Sequence, residues 1–387
     1  MYHNSEEVLE DIVKSIEISD TNFSLAVDRY NAIGNWIKIG LEEKGYDANI
    51  YPQGSFALNT VISPCVENNE YDVDLVCEIT SLDKKKIDPL DVLNLIGNRL
   101  KENEKYKNML VSKGGISRCW TLKYADSTAG VGFHIDILPS VPEDAIINAL
   151  NNTPDAIAII DNKAGVYSWS PSNPKGFIAW FEEQNVEFKN YLFTEARAMY
   201  DKAANVDIED INRKTARSPL RQAIKILKNH KDKMFDENNK YCAPKSILIT
   251  TLATHLYNQE RDLTSTIYNI LDGLEKYANL MKRGFTPDND DILYRDQNGI
   301  WIARNPALPT ENFIEDWGDS DASEHAKAFF NWVSKVKLDL NNIMNQSNKK
   351  HFIDSAFNVN FKSRFIDDDV PRVTTRANQP WSNYAKL

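Results

Sequence analysis

Tyr71-Asp72-Val73-Asp74-Leu75-Val76 is the stretch that decides how the rest of this chain is read. Read as a strand, it sends Asp72 and Asp74 to one face and Tyr71, Val73 and Leu75 to the other. Two carboxylates ~7 Å apart on one face repel each other unless a cation sits between them. Mg²⁺ (or Mn²⁺) suits the pair, because it takes hard oxygen ligands and bridges carboxylates to phosphates. A second segment, Phe133-His134-Ile135-Asp136-Ile137-Leu138, repeats the design, with His134 and Asp136 on the polar side. If the two strands are neighbours, Asp136 is a third carboxylate, and three suffice to hold two divalent ions for in-line phosphoryl transfer. Singly, each Asp also reads as an ordinary solvent-facing strand residue. Three in two apolar strands, where Asp is disfavoured, weigh against that. His134 reads as a structural neighbour of the site.

Upstream, Pro52-Gln53-Gly54-Ser55-Phe56-Ala57-Leu58-Asn59-Thr60 puts a Gly-Ser turn after a strand. Such a turn lets backbone N–H groups and a hydroxyl approach a phosphate closely. By itself it is only a turn signal. Farther out, Val8, Leu9, Ile12, Val13 and Ile16 mark one amphipathic helix, and Ala26, Tyr30, Ile33, Ile37 and Leu41 a second, stopped at Gly45. β-type runs follow at 48–51, 71–79, 117–124, 131–138, 156–160 and 166–169, interrupted by a helix at 89–102. From ~175 the pattern is helical. Its clearest helix has Ser218 as N-cap and Pro219 at the first position, and others are expected at 245–257, 262–283 and 321–345. These patterns predict an α+β chain: a mixed α/β core with N-terminal helices over 1–190, a helical lobe over 191–365 and a loose tail over 366–387.

Composition narrows the functional classes. The 387 residues carry a net charge of −11, which lowers the expectation of stable DNA binding but leaves small anionic substrates open. The four cysteines form no CxxC pair, so neither a zinc motif nor a disulfide framework is indicated, and a reducing, cytoplasmic setting is the simplest reading. The N-terminus is acidic rather than signal-like, and no apolar run approaches the ~18 residues of a membrane span.

The order Gly-Ser, Asp-x-Asp 17 residues after the serine, then a lone Asp on a later apolar strand resembles the polymerase-β-type nucleotidyltransferase superfamily. Within it the chain resembles bacterial CD-NTases, relatives of cyclic GMP-AMP synthase and oligoadenylate synthase. QGSFALNT (53–60), YDVDLV (71–76) and HIDILPS (134–140) carry the superfamily likeness. SNPKGFIAWF (172–181), PLRQAIKILKNHKD (219–232), APKSILITTLATHLY (243–257) and NPALPTENFIEDW (305–317) point to this branch. Nothing beyond ~345 matches.

The resemblance implies a bilobal polymerase-β-like fold, with a mixed-sheet core and a helical C-terminal lobe. It also implies an enzyme that joins ribonucleoside triphosphates, ATP among them, into a cyclic di- or trinucleotide messenger. Such messengers act on a separate effector in anti-phage signalling. Asp72, Asp74 and Asp136 take the catalytic and metal-binding positions, with two ions. Gln53, Gly54, Ser55 and Thr60 take the nucleotide-binding turn. Lys228 and Ser246 take the positions that hold the donor's β- and γ-phosphates, with Lys245 assisting or simply exposed. Arg221 and Lys225, at helical spacing with Lys228, read as a stripe opposite the apolar face, most simply a solvated one. Trp317 and Phe313 read as core, and Tyr167, Trp169 and Trp180 as core or as base-stacking surfaces. Two rivals stay open: a nucleotidyltransferase acting on RNA ends or a protein acceptor, and a catalytically silent nucleotide-sensing module.

Overall fold

The computed structural model describes residues 5–64, 70–111, 117–124, 132–163, 165–199, 214–235, 240–281, 292–318, 323–345 and 349–359. The tail expected over 366–387 lies outside them. Two helices open the chain, α1 (Ser5–Ile16) and α2 (Asp20–Glu42). Ser19 caps α2 by accepting from the Asn22 N–H at 3.2 Å. Then come β1 (Ala48–Pro52), the short α3 (Gly54–Ala57), β2 (Tyr71–Ile79), α4 (Pro89–Lys101) and α5 (Glu104–Met109). β3 (Trp120–Tyr124), β4 (Phe133–Pro142), α6 (Ala145–Asn151), β5 (Ile157–Lys163) and β6 (Val166–Ser172) complete a six-stranded sheet.

Its path runs β1-β2-β4-β5-β6, with β3 also paired to β4. Only β2 and β4 are parallel, so the sheet is mixed. The ten-residue β4 serves two partners on one side: Phe133–Ile137 pair with β3, and Ser140–Pro142 with β5. Pro139, where the alternating pattern breaks off in the sequence, falls in the gap between them, so the strand continues past it. β3 starts at Trp120 rather than at 117, because the Ser117 hydroxyl donates to the Cys119 carbonyl at 2.6 Å and folds that segment into a turn.

The chain continues through α7 (Pro174–Glu183), α8 (Val186–Met199), α9 (Pro219–Met234), α10 (Ser246–Leu256) and α11 (Leu263–Met281). A three-stranded sheet follows, β7 (Leu293–Arg295), β8 (Trp301–Asn305) and β9 (Leu308–Asn312), and then α12 (Glu324–Asn345) and α13 (Lys349–Ala356).

Two large cores organise these elements. In the first, Tyr71, Val73, Leu75, Cys77 and Ile79 of β2 and Phe133, Ile135 and Ile137 of β4 pack on α2 and α4. The opposite, acidic face of β2 and β4 is thereby left free for the site. The second core joins α9 to α13 with Trp301, Trp317 and Phe329, and Phe313 packs against it, as the sequence suggests. Trp169 packs on the first core and Trp180 on the second. One element departs from expectation. Of the two N-terminal helices only α2 packs on the sheet, whereas α1 buries Val8, Leu9, Ile12, Val13 and Ile16 in the second, helical core.

Candidate active site

The parallel register of β2 and β4 sets the site. Asp74 lies directly opposite Asp136, and Asp72 opposite His134, on strands ~4.8 Å apart. The three carboxylates therefore share one face. Asp72 is the outermost, with its side chain 81% exposed, while Asp74 and Asp136 are half-buried. Burial first, then the charges of Asp136 and Asp72, push the Asp74 carboxyl up to about 6, against the pull of Lys228 and Arg118. His134 lies between two acids: its Nε2 is 2.6 Å from Glu70 Oε2 and its Nδ1 is 3.8 Å from Asp72 Oδ1. This places His134 beside the site, as its position in the sequence suggests.

The Gly-Ser turn meets these carboxylates. The Gln53 N–H donates to the Asp74 carbonyl at 2.9 Å, tying the turn to β2. Gly54 has φ +60°, in the left-handed region, and a Cβ there would stand 3.0 Å from Asp74 Oδ2. Glycine is thus required by conformation and by space. Ser55 is half-buried just past it, and its carbonyl accepts from the Thr60 N–H at 2.9 Å, closing the loop. Thr60 is 1% exposed and enters the site through its carbonyl, which accepts from Lys228 Nζ at 2.8 Å.

α9 corrects the picture of a solvated basic stripe. Arg221, Lys225 and Lys228 are 2%, 6% and 7% exposed, so the helix is buried on its charged side as well. A chain this acidic can bury cations where partners wait for them. Arg221 donates to the Leu58 carbonyl at 3.0 Å and to the Thr215 carbonyl at 2.9 Å, and is ion-paired with Glu182. Lys225 pairs with Glu17 at 3.1 Å, and Arg217 holds the other oxygen of Glu17 at 2.9 Å. Arg221 and Lys228 thus grip the carbonyls of Leu58 and Thr60, the residues on either side of Asn59, itself at φ +55°. Burial brings the Lys228 ammonium down to about 8.

Ser246 is the first residue of α10 and half-buried. Lys245 is directed elsewhere: its ammonium contacts Asp316 at 2.7 Å and the Phe313 carbonyl at 3.1 Å. The structure therefore brings Asp72, Asp74, Asp136, Gln53, Gly54 and, through Thr60, Lys228 into one constellation, and gives Lys245 a partner in the 313–316 segment.

Several neighbours were not evident from the sequence. Thr121, opposite Asp136 on β3, donates its hydroxyl to Asp136 Oδ1, and the Cys119 thiol lies 3.7 Å from Oδ2. Glu70 backs His134. Thr121 sits in a strand run with no chemical signature, so only pairing could have revealed it. Among the described residues no three His, Cys, Asp or Glu side chains close around a single point. The donor set is nonetheless hard oxygen throughout, with Asp72, Asp74 and Asp136 on one face. Those residues fit a divalent ion shared with a ligand's own oxygens. Among the described residues, no helix is long and apolar enough to cross a membrane.

Residues 1–185 match the family model of the Second Messenger Oligonucleotide or Dinucleotide Synthetase domain. A c-di-GMP synthase of Roseivirga ehrenbergii is 28% identical over 337 residues, 87% of this chain and 79% of that protein. The cyclic dinucleotide synthase CdnG of Bradyrhizobium diazoefficiens is 25% identical over 331 residues, 82% of this chain and 71% of that one. The chain is thus similar to bacterial CD-NTases, with the family model matched over residues 1–185. The solved structure of the Bradyrhizobium diazoefficiens CD-NTase CdnG in complex with GTP superposes with a TM-score of 0.65 at 22% identity, covering 92% of this chain and 96% of that one. The two share a fold, the polymerase-β-like one expected from the sequence.

Proposed function

We propose that this chain is a CD-NTase that condenses ribonucleoside triphosphates into a cyclic dinucleotide, with release of pyrophosphate. The observation that carries this reading is the register that sets Asp74 against Asp136 with Asp72 beside them, facing a Gly54 turn that approaches Asp74 closely. GTP is the substrate favoured by the relatives, one being a c-di-GMP synthase and another having been solved with GTP. ATP and a cyclic trinucleotide remain within the reading.

Asp72 and Asp74, with Asp136, would hold Mg²⁺ or Mn²⁺, two ions in the family scheme. When bound, these ions supply charge neutralisation at the transferring phosphate and its leaving group. The protein's part follows from its own side chains. Asp136 accepts the proton of the acceptor ribose hydroxyl. As that oxygen bonds to the donor α-phosphorus, the bond from phosphorus to the bridging oxygen breaks, and pyrophosphate departs with the electron pair. The Gly54–Ser55 turn presents backbone N–H groups and a hydroxyl to the departing phosphates. Lys228 adds a point charge, leaving the Thr60 carbonyl for the phosphate oxygens, and Ser246 offers a hydroxyl. The linear product then re-enters with its own 5′-triphosphate in the donor position, its free ribose hydroxyl attacks that α-phosphorus, and a second pyrophosphate leaves as the ring closes. The proposed setting is cytoplasmic anti-phage signalling, in which the messenger acts on a separate effector. The family likeness supports that setting.

The test is incubation of the purified chain with all four NTPs and Mg²⁺ or Mn²⁺, then phosphatase treatment and mass spectrometry. A phosphatase-resistant species with the mass of a cyclic dinucleotide, lost in an Asp72→Asn/Asp74→Asn variant that still folds, is the expected result. Product formation only when an RNA or protein acceptor is added would replace the reading with the terminal-transferase one.

A further inference from the structure

Arg221 is a full-length cation that the fold buries to 2% exposure. A guanidinium is tolerated there only when its donors are met, and its planar fork lets several be met at once. Three of its partners lie at the entry to α9 or on α7: the Thr215 carbonyl at 2.9 Å, the Ser218 hydroxyl at 3.4 Å and the Glu182 carboxylate. The fourth is the Leu58 carbonyl, which accepts from Nε at 3.0 Å. Leu58 directly follows α3, in a segment closed on itself. Its N–H donates to the Gly54 carbonyl at 3.1 Å, and the Thr60 N–H donates to the Ser55 carbonyl at 2.9 Å. One end of this loop is tied to β2 through the Gln53 N–H on the Asp74 carbonyl, and the other is held by α9. The two cations that hold it differ in availability. Lys228 must leave the Thr60 carbonyl to meet a phosphate, whereas Arg221, committed to four partners in the interior, stays on Leu58.

We propose that Arg221 is a positioning residue for nucleotidyl transfer. Through the Leu58 carbonyl it keeps the Gly54–Ser55 turn in place for the donor's β- and γ-phosphates while Lys228 exchanges the Thr60 carbonyl for a phosphate oxygen. The proposal rests on the cyclic-dinucleotide reading above. Arg221 touches no reacting atom and neither gains nor loses a proton in the step. The turn's N–H groups face oxygens whose negative charge grows as pyrophosphate departs. A misplaced turn therefore weakens the transition state more than the bound substrate, and kcat falls more than KM rises.

Arg221→Lys keeps the charge and loses the fork, so it cannot hold Leu58, Thr215 and Glu182 together. Glu182→Gln is milder, leaving Arg221 in place and removing the charge that anchors it. Glu6→Ala is the stability control. The Glu6 carboxylate caps α11, not the turn, accepting from the Leu263 and Thr264 N–H groups at 2.7 and 2.8 Å. The experiment measures kcat and KM for GTP with Mg²⁺, and the inhibition constants of pyrophosphate and of GMP, at a temperature where melts show the variants folded. For Arg221→Lys a ~10–100-fold lower kcat is expected, with KM within about threefold of wild type. Pyrophosphate, which carries the fully developed charge, inhibits ~10-fold less well, and GMP is unchanged. Glu182→Gln shows the same pattern at about threefold, and Glu6→Ala lowers Tm with wild-type constants.

An Arg221→Lys enzyme within about twofold of wild type in kcat and in pyrophosphate inhibition overturns the proposal. So does an equal weakening of GMP, which reports general damage, or a Glu6→Ala enzyme as impaired as Arg221→Lys, which reports lost stability alone. If Arg221→Lys does not fold, Glu182→Gln decides on the same constants, and wild-type values there overturn the proposal. If wild type makes no cyclic product from any NTP, the functional reading fails by itself. Calorimetric binding of pyrophosphate against GMP then still decides whether Arg221 holds the turn.

Discussion

Gly54→Ala separates the turn's structural cost from its chemical one. The substitution forces an alanine to φ +60°, which costs roughly 1–2 kcal/mol. Loss of unfolded-state freedom returns about 0.4–1 kcal/mol of that. The net is ~1 kcal/mol, or a Tm lower by about 2–4 °C for a unit of this size. The protein stays folded at assay temperature. The chemical cost comes from the new Cβ, 3.0 Å from Asp74 Oδ2. Either that carboxylate or the turn yields by a few tenths of an ångström, and both face the reacting phosphates. Since ~1 Å of misplacement costs about 100-fold in rate, a loss of about 10–100-fold in kcat/KM is expected. Gly45→Ala is the control. Gly45 also has a positive φ, +81°, but nothing lies within 4 Å of its would-be Cβ. It should show a similar Tm loss with wild-type turnover. Thermal melts and initial rates on the two variants decide the matter. A Gly54→Ala enzyme with normal kcat/KM, or a Gly45→Ala enzyme equally inactive, refutes the reasoning that the turn touches the chemistry.

Three further outcomes follow from the charges. Asp74, with its folded-state carboxyl raised to about 6, takes up a proton in the folded state before the unfolded chain does, so its penalty is full above that pH and fades below it. In chelator, Asp74→Asn should melt higher than wild type at pH 8, with the gap narrowing below about pH 6 and closing only near the unfolded-state carboxyl value of about 4; a constant gap contradicts this. Lys228, brought down to about 8, should make binding of a non-hydrolysable GTP analogue weaken between pH 7 and 9, and Lys228→Met should bind weakly with no such trend when titrated calorimetrically. Arg221→Met strips the donor from the buried Leu58 carbonyl, which costs about 2–4 kcal/mol and lowers Tm, as differential scanning calorimetry would show. A variant as stable as wild type would mean that the 58–60 loop is held by other contacts.

What the sequence displayed and what it hid follow one physical division. Features set within a single strand were legible: Tyr71–Ile79 forms β2 at the limits its alternation indicates, and Asp72, Asp74 and Asp136 land on one face. Pro219 opens α9 as expected. Features set by partners distant in the chain were not. Arg221, Lys225 and Lys228 look like a solvated stripe on a helical wheel. Their burial depends on Leu58, Glu17 and Thr60, more than 160 residues earlier. α1 and α2 carry equally apolar faces, and nothing in either pattern says which core receives it. Thr121 gains its meaning only from the register that sets it opposite Asp136.

That α1 lies in the helical core has a mechanical consequence. The polypeptide passes from one core to the other near residues 16–20, between α1 and α2, again in the 56–62 loop, where Leu58 and Ile62 join the helical core and Phe56 and Val61 the other, and again after β6 on entering α7. A body tied to another at a single point can swing in any direction. Tied at three places that are far apart in the sequence, with Arg221 and Lys228 holding the Leu58 and Thr60 carbonyls at the middle one, it has no single hinge line to turn about. A cut at the boundary near residue 190 would not release two independent halves, because the first sixteen residues would still belong to the other side.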